Sequence, residues 1–351
     1  MDSISQLHSL GQSLWYDNIQ RRLLKNGEMA HMISRGMIRG VTSNPTIFQN
    51  AITHSSDYDS AIKTMSWSGW TSEQIFWQLA VEDIRQAAEL FQPLYRESKG
   101  QDGFVSLEVN PLLANNTKET IEQAQLLWNR VGMPNLMVKI PATKAGLPAI
   151  RASIAAGLNI NVTLIFSLER YLEVIDAFMA GLEDRVLAGK PVDSIASVAS
   201  FFVSRIDTKV DSRLDDLVSA GKINPEEAKK LAGRTAIASA RLAYQLFEKE
   251  FSSPRFNALK AKGAQVQRPL WASTSTKNKA YRDVLYVEEL IADQTVNTVP
   301  PQTLDAFADH GVAKLTIMND LEGARKAMEE VEMLGISMQQ VTFELEEEGV
   351  K

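Results

Sequence analysis

Cysteine is absent from the 351 residues, and histidine occurs only four times, at His8, His31, His54 and His310. The first absence removes disulfides, thiolate nucleophiles, cysteine-based zinc sites and iron–sulfur clusters together. No two histidines have the i, i+4 spacing of a zinc-binding helix, so no metal site is expected. No apolar run approaches the ~18 residues of a membrane span. Residues 1–10 show neither a basic start nor the apolar stretch of a secretory signal, so a cytoplasmic protein is expected. Neither G-x-x-x-x-G-K-[ST] nor G-x-G-x-x-G occurs, which leaves nucleotide binding without support. Positive charge is not in excess either: 37 Lys+Arg against 43 Asp+Glu give a net charge of −6. That balance argues against a nucleic-acid or anionic-membrane partner. The nearest thing to a basic patch, Arg21, Arg22 and Lys25, reads as the solvated face of a helix.

What is present is an ordinary globular composition, 44% hydrophobic and 23% charged, with enough chain for a large core. Repeats and low-complexity segments are not seen. Eight short apolar runs rich in β-branched residues stand out, at 14–19, 38–43, 104–109, 136–140, 160–166, 197–203, 269–273 and 295–299. Most are followed by a helical pattern: 117–131, 144–156, 168–188, 207–220 with 225–251, 284–292 and 302–310. Such alternation predicts parallel strands with helices outside them. Eight units predict a closed (β/α)8 TIM barrel with additional helices, and no linker suggests more than one domain over 1–351. The chain is roughly 100 residues longer than the ~250 of a typical barrel. The surplus falls in 46–98, which holds a strong helix at 72–94, in 224–263, and after 313. Two final helices, near 320–333 and 338–348, are expected on the outside of the barrel, where they either cap its mouth or cover its flank.

Barrel strands alternate inward and outward. In Leu136-Met137-Val138-Lys139-Ile140-Pro141, Val138 and Ile140 share the face that packs on helices, so Lys139 points into the barrel. The same parity turns Glu108 inward between Leu107 and Val109, Thr163 between Val162 and Leu164 with Asn161 on its face, Asn44 with Thr42, Ser200 with Phe202, and Asp17 beyond Tyr16. One such residue alone reads equally well as a solvated strand end, and one lysine as a snorkelling side chain. Together they do not fit a dry core, which would not gather a lysine, two carboxylates and two asparagines without mutual pairing. Most lie near strand C-terminal ends, where barrel active sites form.

An amine at the ordinary lysine pKa is only ~0.04% free base at pH 7. A sheltered lysine with a pKa of ~7–8 would be roughly 10–50% free and able to form a Schiff base with a ketone. The iminium draws electrons, so an adjacent C–C bond can break. Proton transfers accompany both steps, and Glu108 and Asp17 are the available carboxylates. Asn44, Asn161, Thr163 and Ser200 are candidates to hold substrate hydroxyls and a water. Arg205 after the sixth run, and Ser273-Thr274-Ser275-Thr276-Lys277 after the seventh, suit an anion such as phosphate. The Ser/Thr run alone reads equally as a capped helix start.

These segments resemble the transaldolase family. The resemblance is carried, in order, by Gly40-Val41-Thr42-Ser43-Asn44-Pro45-Thr46, Ser106-Leu107-Glu108-Val109-Asn110-Pro111, Leu136-Met137-Val138-Lys139-Ile140-Pro141-Ala142-Thr143, Gly157-Leu158-Asn159-Ile160-Asn161-Val162-Thr163-Leu164 and Ser200-Phe201-Phe202-Val203-Ser204-Arg205. The long form with Trp271-Ala272-Ser273-Thr274 is similar to the bacterial and plant-type branch. The resemblance implies a Schiff-base lysine at Lys139 and a C4-hydroxyl proton taken by Asp17. It implies a water worked by Glu108 and held also by Thr163. Asn44 and Asn161 would hold a dihydroxyacetone fragment, Ser200 its terminal hydroxyl, and Arg205 a phosphate. It also implies sugar phosphate substrates of the pentose phosphate pathway and no cofactor, and it leaves the oligomeric state open. Two departures stand out. Well-known members carry Ala-Ser-Phe-Arg after strand seven, so Lys277 is the expected substitute for the second phosphate cation, with Ser273 a further phosphate-binding candidate. Related fructose-6-phosphate aldolases place a tyrosine where this chain has Phe202, which favours fragment transfer over release as free dihydroxyacetone. A plain aldolase and a non-catalytic sugar-phosphate-binding barrel are the competing readings.

Overall fold

The computed structural model describes residues 2–351. Eight parallel strands close into a barrel in chain order: β1 Gln12–Asp17, β2 Gly40–Thr42, β3 Phe104–Glu108, β4 Leu136–Pro141, β5 Ile160–Ile165, β6 Ser197–Phe202, β7 Gln267–Ala272 and β8 Thr295–Val299. β1 pairs with β8 to complete the ring. The expected (β/α)8 architecture is therefore present. The strands are buried on both sides almost throughout, as a parallel sheet covered by helices requires. Outward Val138, Ile140 and Val162 are fully buried under the helical layer.

Register decides which side chains meet. Glu108 is the Cα partner of Lys139, and Lys139 of Asn161, so three adjacent strands set these residues side by side. Asp17 pairs with Thr42 and Pro141 with Thr163. Regular parity breaks within β5. Register shifts between Val162 and Ile165 of β5, and Leu164 there takes a positive φ of 60°. A bulge costs pairing and backbone strain. Here it swings Leu164, expected to face the helices, into the barrel mouth.

Several other expectations are corrected. The first strand begins at Gln12 and ends at Asp17 rather than spanning 14–19. The helix expected over 225–251 is two helices, Pro225–Leu231 and Thr235–Glu250, because Gly233 turns the chain at φ 71°. Over 284–292 only Leu285–Glu288 is α-helical. Arg21 is not on a solvated face. It is buried, ion-paired to Asp83 at 2.8 Å and Glu82 at 3.0 Å, with its guanidinium 4.7 Å from the Tyr58 ring centroid.

The final two helices differ from each other. Leu321–Met333 packs on the flank, where Ala324 and Ala327 meet Ala238. Met338–Gly349 reaches the mouth with its end. There Gly349 lies against Leu164, and a Cβ added to it would fall 2.8 Å from Leu164 Cδ2. Ion pairs hold this helix: Glu344 to Arg213 at 2.7 Å and Lys209 at 3.3 Å, and Glu346 to Arg170 at 3.5 Å.

Candidate active site

A cavity of about 620 Å³ opens at the C-terminal ends of the strands. Ten of the eleven residues singled out from the sequence line it: Asp17, Asn44, Glu108, Lys139, Thr163, Ser200, Phe202, Arg205, Ser273 and Lys277. A smaller cavity of about 250 Å³ at the opposite end, between the strand starts around Phe104, Ser197 and Arg268, has no carboxylate in its lining.

Lys139 is 8% exposed, so its amine is enclosed rather than solvated. Nζ lies 3.4 Å from Glu108 Oε2 and donates to the Ser43 carbonyl at 3.3 Å. Burial pushes the Glu108 carboxyl above its ordinary range, against the opposing pull of the Lys139 charge. This raised carboxyl and the neighbouring amine are the two groups here that can exchange a proton. Across the mouth, Asp17 accepts a hydrogen bond from the Thr42 hydroxyl at 2.7 Å. The Thr42 and Thr298 hydroxyls are 2.5 Å apart, which fixes the Asp17 rotamer through a chain of side chains.

The Thr163 hydroxyl is buried on the cavity wall and has no hydrogen-bond partner among the described residues. An unpartnered buried hydroxyl is costly, and the cavity is where a partner can arrive. Asn44 caps the helix Pro45–Thr53: its Oδ1 accepts from Ile47 N at 2.9 Å, which leaves the amide nitrogen for a ligand. Asn161 is the exception among the expected residues. It is fully buried and does not line the cavity. Its Oδ1 accepts from Ser200 at 2.7 Å and its Nδ2 donates to Ser106 at 3.1 Å, so it lies under Ser200 and orients that hydroxyl.

Arg205 lies with its guanidinium 5.1 Å from the Phe202 ring centroid, and Phe202 in turn packs on Phe166. Ser273 adopts a left-handed φ of 55° directly after β7. Its hydroxyl is 2.9 Å from that of Ser204, the residue before Arg205. Lys277 Nζ donates to Ser275 at 2.7 Å. Arg205, Lys277, Ser273 and Ser275 all line the cavity.

Residues 14–351 match the profile of the family described as Transaldolase/Fructose-6-phosphate aldolase. A protein of Thermobifida fusca named transaldolase is 49% identical over 348 residues, covering 99% of this chain and 93% of that protein. Transaldolases of a Parafrankia species and of Frankia alni are 48% and 47% identical, again covering 99% of this chain and 93% and 92% of theirs. The chain belongs to the transaldolase/fructose-6-phosphate aldolase family.

For this family member, the parts of the cavity wall that sequence reasoning missed include Thr298, Gln302, Leu164 and the segment of Gly349 and Lys351. Thr298 is the penultimate residue of β8, whose polar residues Thr295, Asn297 and Thr298 fall on both faces, so alternation does not mark it. Leu164 needed knowledge of the bulge. Gly349 lies far along the chain, and only the packing of the last helix brings it to the mouth. No helix among the described residues is long and apolar enough to cross a membrane.

Proposed function

We propose that the protein transfers a dihydroxyacetone unit from a ketose phosphate, sedoheptulose 7-phosphate or fructose 6-phosphate, to an aldose phosphate, glyceraldehyde 3-phosphate or erythrose 4-phosphate. The observation that carries this reading is the enclosed Lys139 amine, 3.4 Å from a buried carboxyl at the closed end of a polar cavity.

Lys139 in its neutral form adds through Nζ to the C2 carbonyl carbon, and the carbinolamine loses its oxygen as water to leave an iminium. Glu108, whose carboxyl is raised by burial, supplies and recovers protons through a water that Thr163 also holds. Asp17 takes the proton from the C4 hydroxyl as the C3–C4 bond breaks. The bonding pair moves into the iminium and gives an enamine, and the aldose phosphate departs. The enamine then attacks the carbonyl carbon of the acceptor aldehyde, whose oxygen regains a proton from Asp17. Water restores the C2 carbonyl and frees Lys139. No redox partner is needed, because the iminium itself is the electron sink.

Asn44 and Ser200 hold hydroxyls of the retained fragment, with Asn161 setting the Ser200 rotamer from below. Arg205, Ser273 and Lys277 bind the phosphate. Within this reading the enzyme works in the cytoplasm on metabolites of the pentose phosphate pathway. Phe202 offers an aromatic face but no hydroxyl to a working water, which supports transfer over release of the fragment. The test is fructose 6-phosphate turnover with and without an acceptor aldehyde. Turnover should depend on acceptor; equal rates without it would assign the chain to the fragment-releasing aldolases.

A further inference from the structure

The segment that follows β7, residues 273–288, which ends in the short helix Leu285–Glu288, brings Ser273 and Lys277 to the mouth cavity. It is docked on the helix Ser204–Ser219, whose second residue is Arg205. Close to the strand, Ser204 N donates to the Ser273 carbonyl at 2.9 Å, beside the paired hydroxyls already described. At the far end the Tyr281 hydroxyl donates to Asp211 Oδ2 at 2.7 Å, and the Tyr286 hydroxyl to Asp207 Oδ2 at 2.6 Å. Asp207 and Asp211 are one helical turn apart and share a face. Their other oxygens accept from Ala236 N at 2.7 Å and Gly233 N at 3.1 Å, at the break before the helix Thr235–Glu250. The packing at that break is close: a Cβ on Gly233 would lie 2.7 Å from Tyr281 Cζ.

Lys277 therefore lies midway along a span tied at Ser273 and at Tyr281. Its only side-chain hydrogen bond among the described residues is to Ser275 in the same span. A further cavity of about 300 Å³ lies against Asp207, Asp211, Tyr281 and Tyr286 and extends to Lys277. The span is thus not packed solidly on the helix. The hydrogen bonds from the two tyrosine hydroxyls to Asp211 and Asp207 hold it there instead.

We propose that Tyr281 and Tyr286 are positioning residues for the phosphate end of the substrate: by fastening the post-β7 segment to the helix that carries Arg205, they fix where Lys277 stands relative to Arg205. This rests on the reading of Arg205, Ser273 and Lys277 as the phosphate site. A cation held a fixed distance from its partner binds a dianion better than one on a loose span, because less ordering is required on binding. Neither tyrosine lines the mouth cavity, so neither touches substrate.

The experiment uses the full chain with Tyr281→Phe, Asp211→Ala and the double variant, and measures KM and kcat for fructose 6-phosphate, competitive inhibition by inorganic phosphate, and turnover of unphosphorylated dihydroxyacetone with glyceraldehyde. Losing one such hydrogen bond should raise KM and the phosphate inhibition constant by about three- to tenfold. The kcat and the dihydroxyacetone reaction should stay unchanged. In the double variant the effect should be no larger than in the more severe single variant, because both remove the same tie. Equal losses with phosphorylated and unphosphorylated substrates, additive effects, or no change in phosphate inhibition would each overturn the proposal. Thermal midpoints identify a variant that is merely unfolding, and Tyr286→Phe then provides an independent second tie to test by the same readouts. If the wild-type protein neither turns over fructose 6-phosphate nor is inhibited by phosphate, the phosphate-site reading itself has failed, which is a different outcome from failure of the tie.

Discussion

Lys139 and Glu108 each make the other's burial tolerable. An isolated ammonium or carboxylate in this enclosure would be expensive to desolvate. Side by side they share that cost, and the residual penalty appears as the raised Glu108 carboxyl. Arg205 is different in kind: it has an aromatic face beneath it and no ion pair among the described residues, which leaves its charge for a ligand. Arg205→Ala should raise KM for fructose 6-phosphate by about 10- to 100-fold, the scale of a charge-assisted contact, and leave unphosphorylated dihydroxyacetone nearly unaffected. Steady-state kinetics with both substrates decides it, and equal losses would remove Arg205 from the phosphate site. Asp207 supplies a test at the same scale. Burial pushes its carboxyl up to about 7, with Asp211 adding to the rise and the Tyr286 hydroxyl and Ala236 N opposing it. The folded pKa lies above the ~3.9 of an unfolded aspartate. The folded state therefore holds the extra proton, and the stabilisation is full at low pH and lost as pH rises through about 7. Compared with the neutral Asp207→Asn variant, the wild type should lose on the order of 2 kcal/mol of relative stability from about pH 5 to about pH 8. Urea melts at both pH values measure it; a constant difference would show that Asp207 titrates as an ordinary carboxylate. Lys139, Glu108 and Asp17 were legible in the sequence because each interrupts an apolar strand at a known parity. Asn161 was legible as an inward residue but not as one buried beneath Ser200, since depth along a barrel axis depends on register between strands.

At the scale of elements, strands were easier to read than helices. Parallel strands covered on both faces are short, apolar and β-branched, and turns bound them. All eight runs correspond to strands. Helix ends were harder, because tertiary contacts set them. The break after Leu231 depends on Asp207 and Asp211, more than twenty residues earlier, receiving backbone N–H groups of Gly233 and Ala236. The β5 bulge left no trace in the apolar pattern. Close helix packing also hides in a single letter. Gly181, in the helix Leu168–Leu187, faces the helix Gly146–Ala156 so closely that a Cβ would lie 2.7 Å from Ile154 Cβ and 2.8 Å from the Arg151 carbonyl. Backbone cannot yield as a side chain can. Gly181→Ala should destabilise by about 1–3 kcal/mol with kcat and KM unchanged, as read by denaturant melts alongside activity. A neutral melt would mean the two helices can part at no cost.

At the scale of the molecule, the barrel gathers residues from positions 17 to 351 around one cavity, and the last helix contributes to the mouth through ion pairs to helices that begin beside β5 and β6. We propose that the chain unfolds as one unit, because one core cluster runs from Ile4 to Leu345 through the barrel and most of its helices. Near- and far-ultraviolet circular dichroism should then be lost together on heating; two separated transitions would divide the chain into independent units. Such coincidence is the ordinary criterion of cooperative unfolding. The central claim is the proposed Schiff base between the enclosed Lys139 amine and a ketose carbonyl carbon. Its most direct measurement is borohydride reduction in the presence of fructose 6-phosphate, followed by mass mapping of peptides. One stable adduct, on Lys139 and missing in Lys139→Ala, is the expected result; an unmodified protein, or a label on any other lysine, would contradict the account.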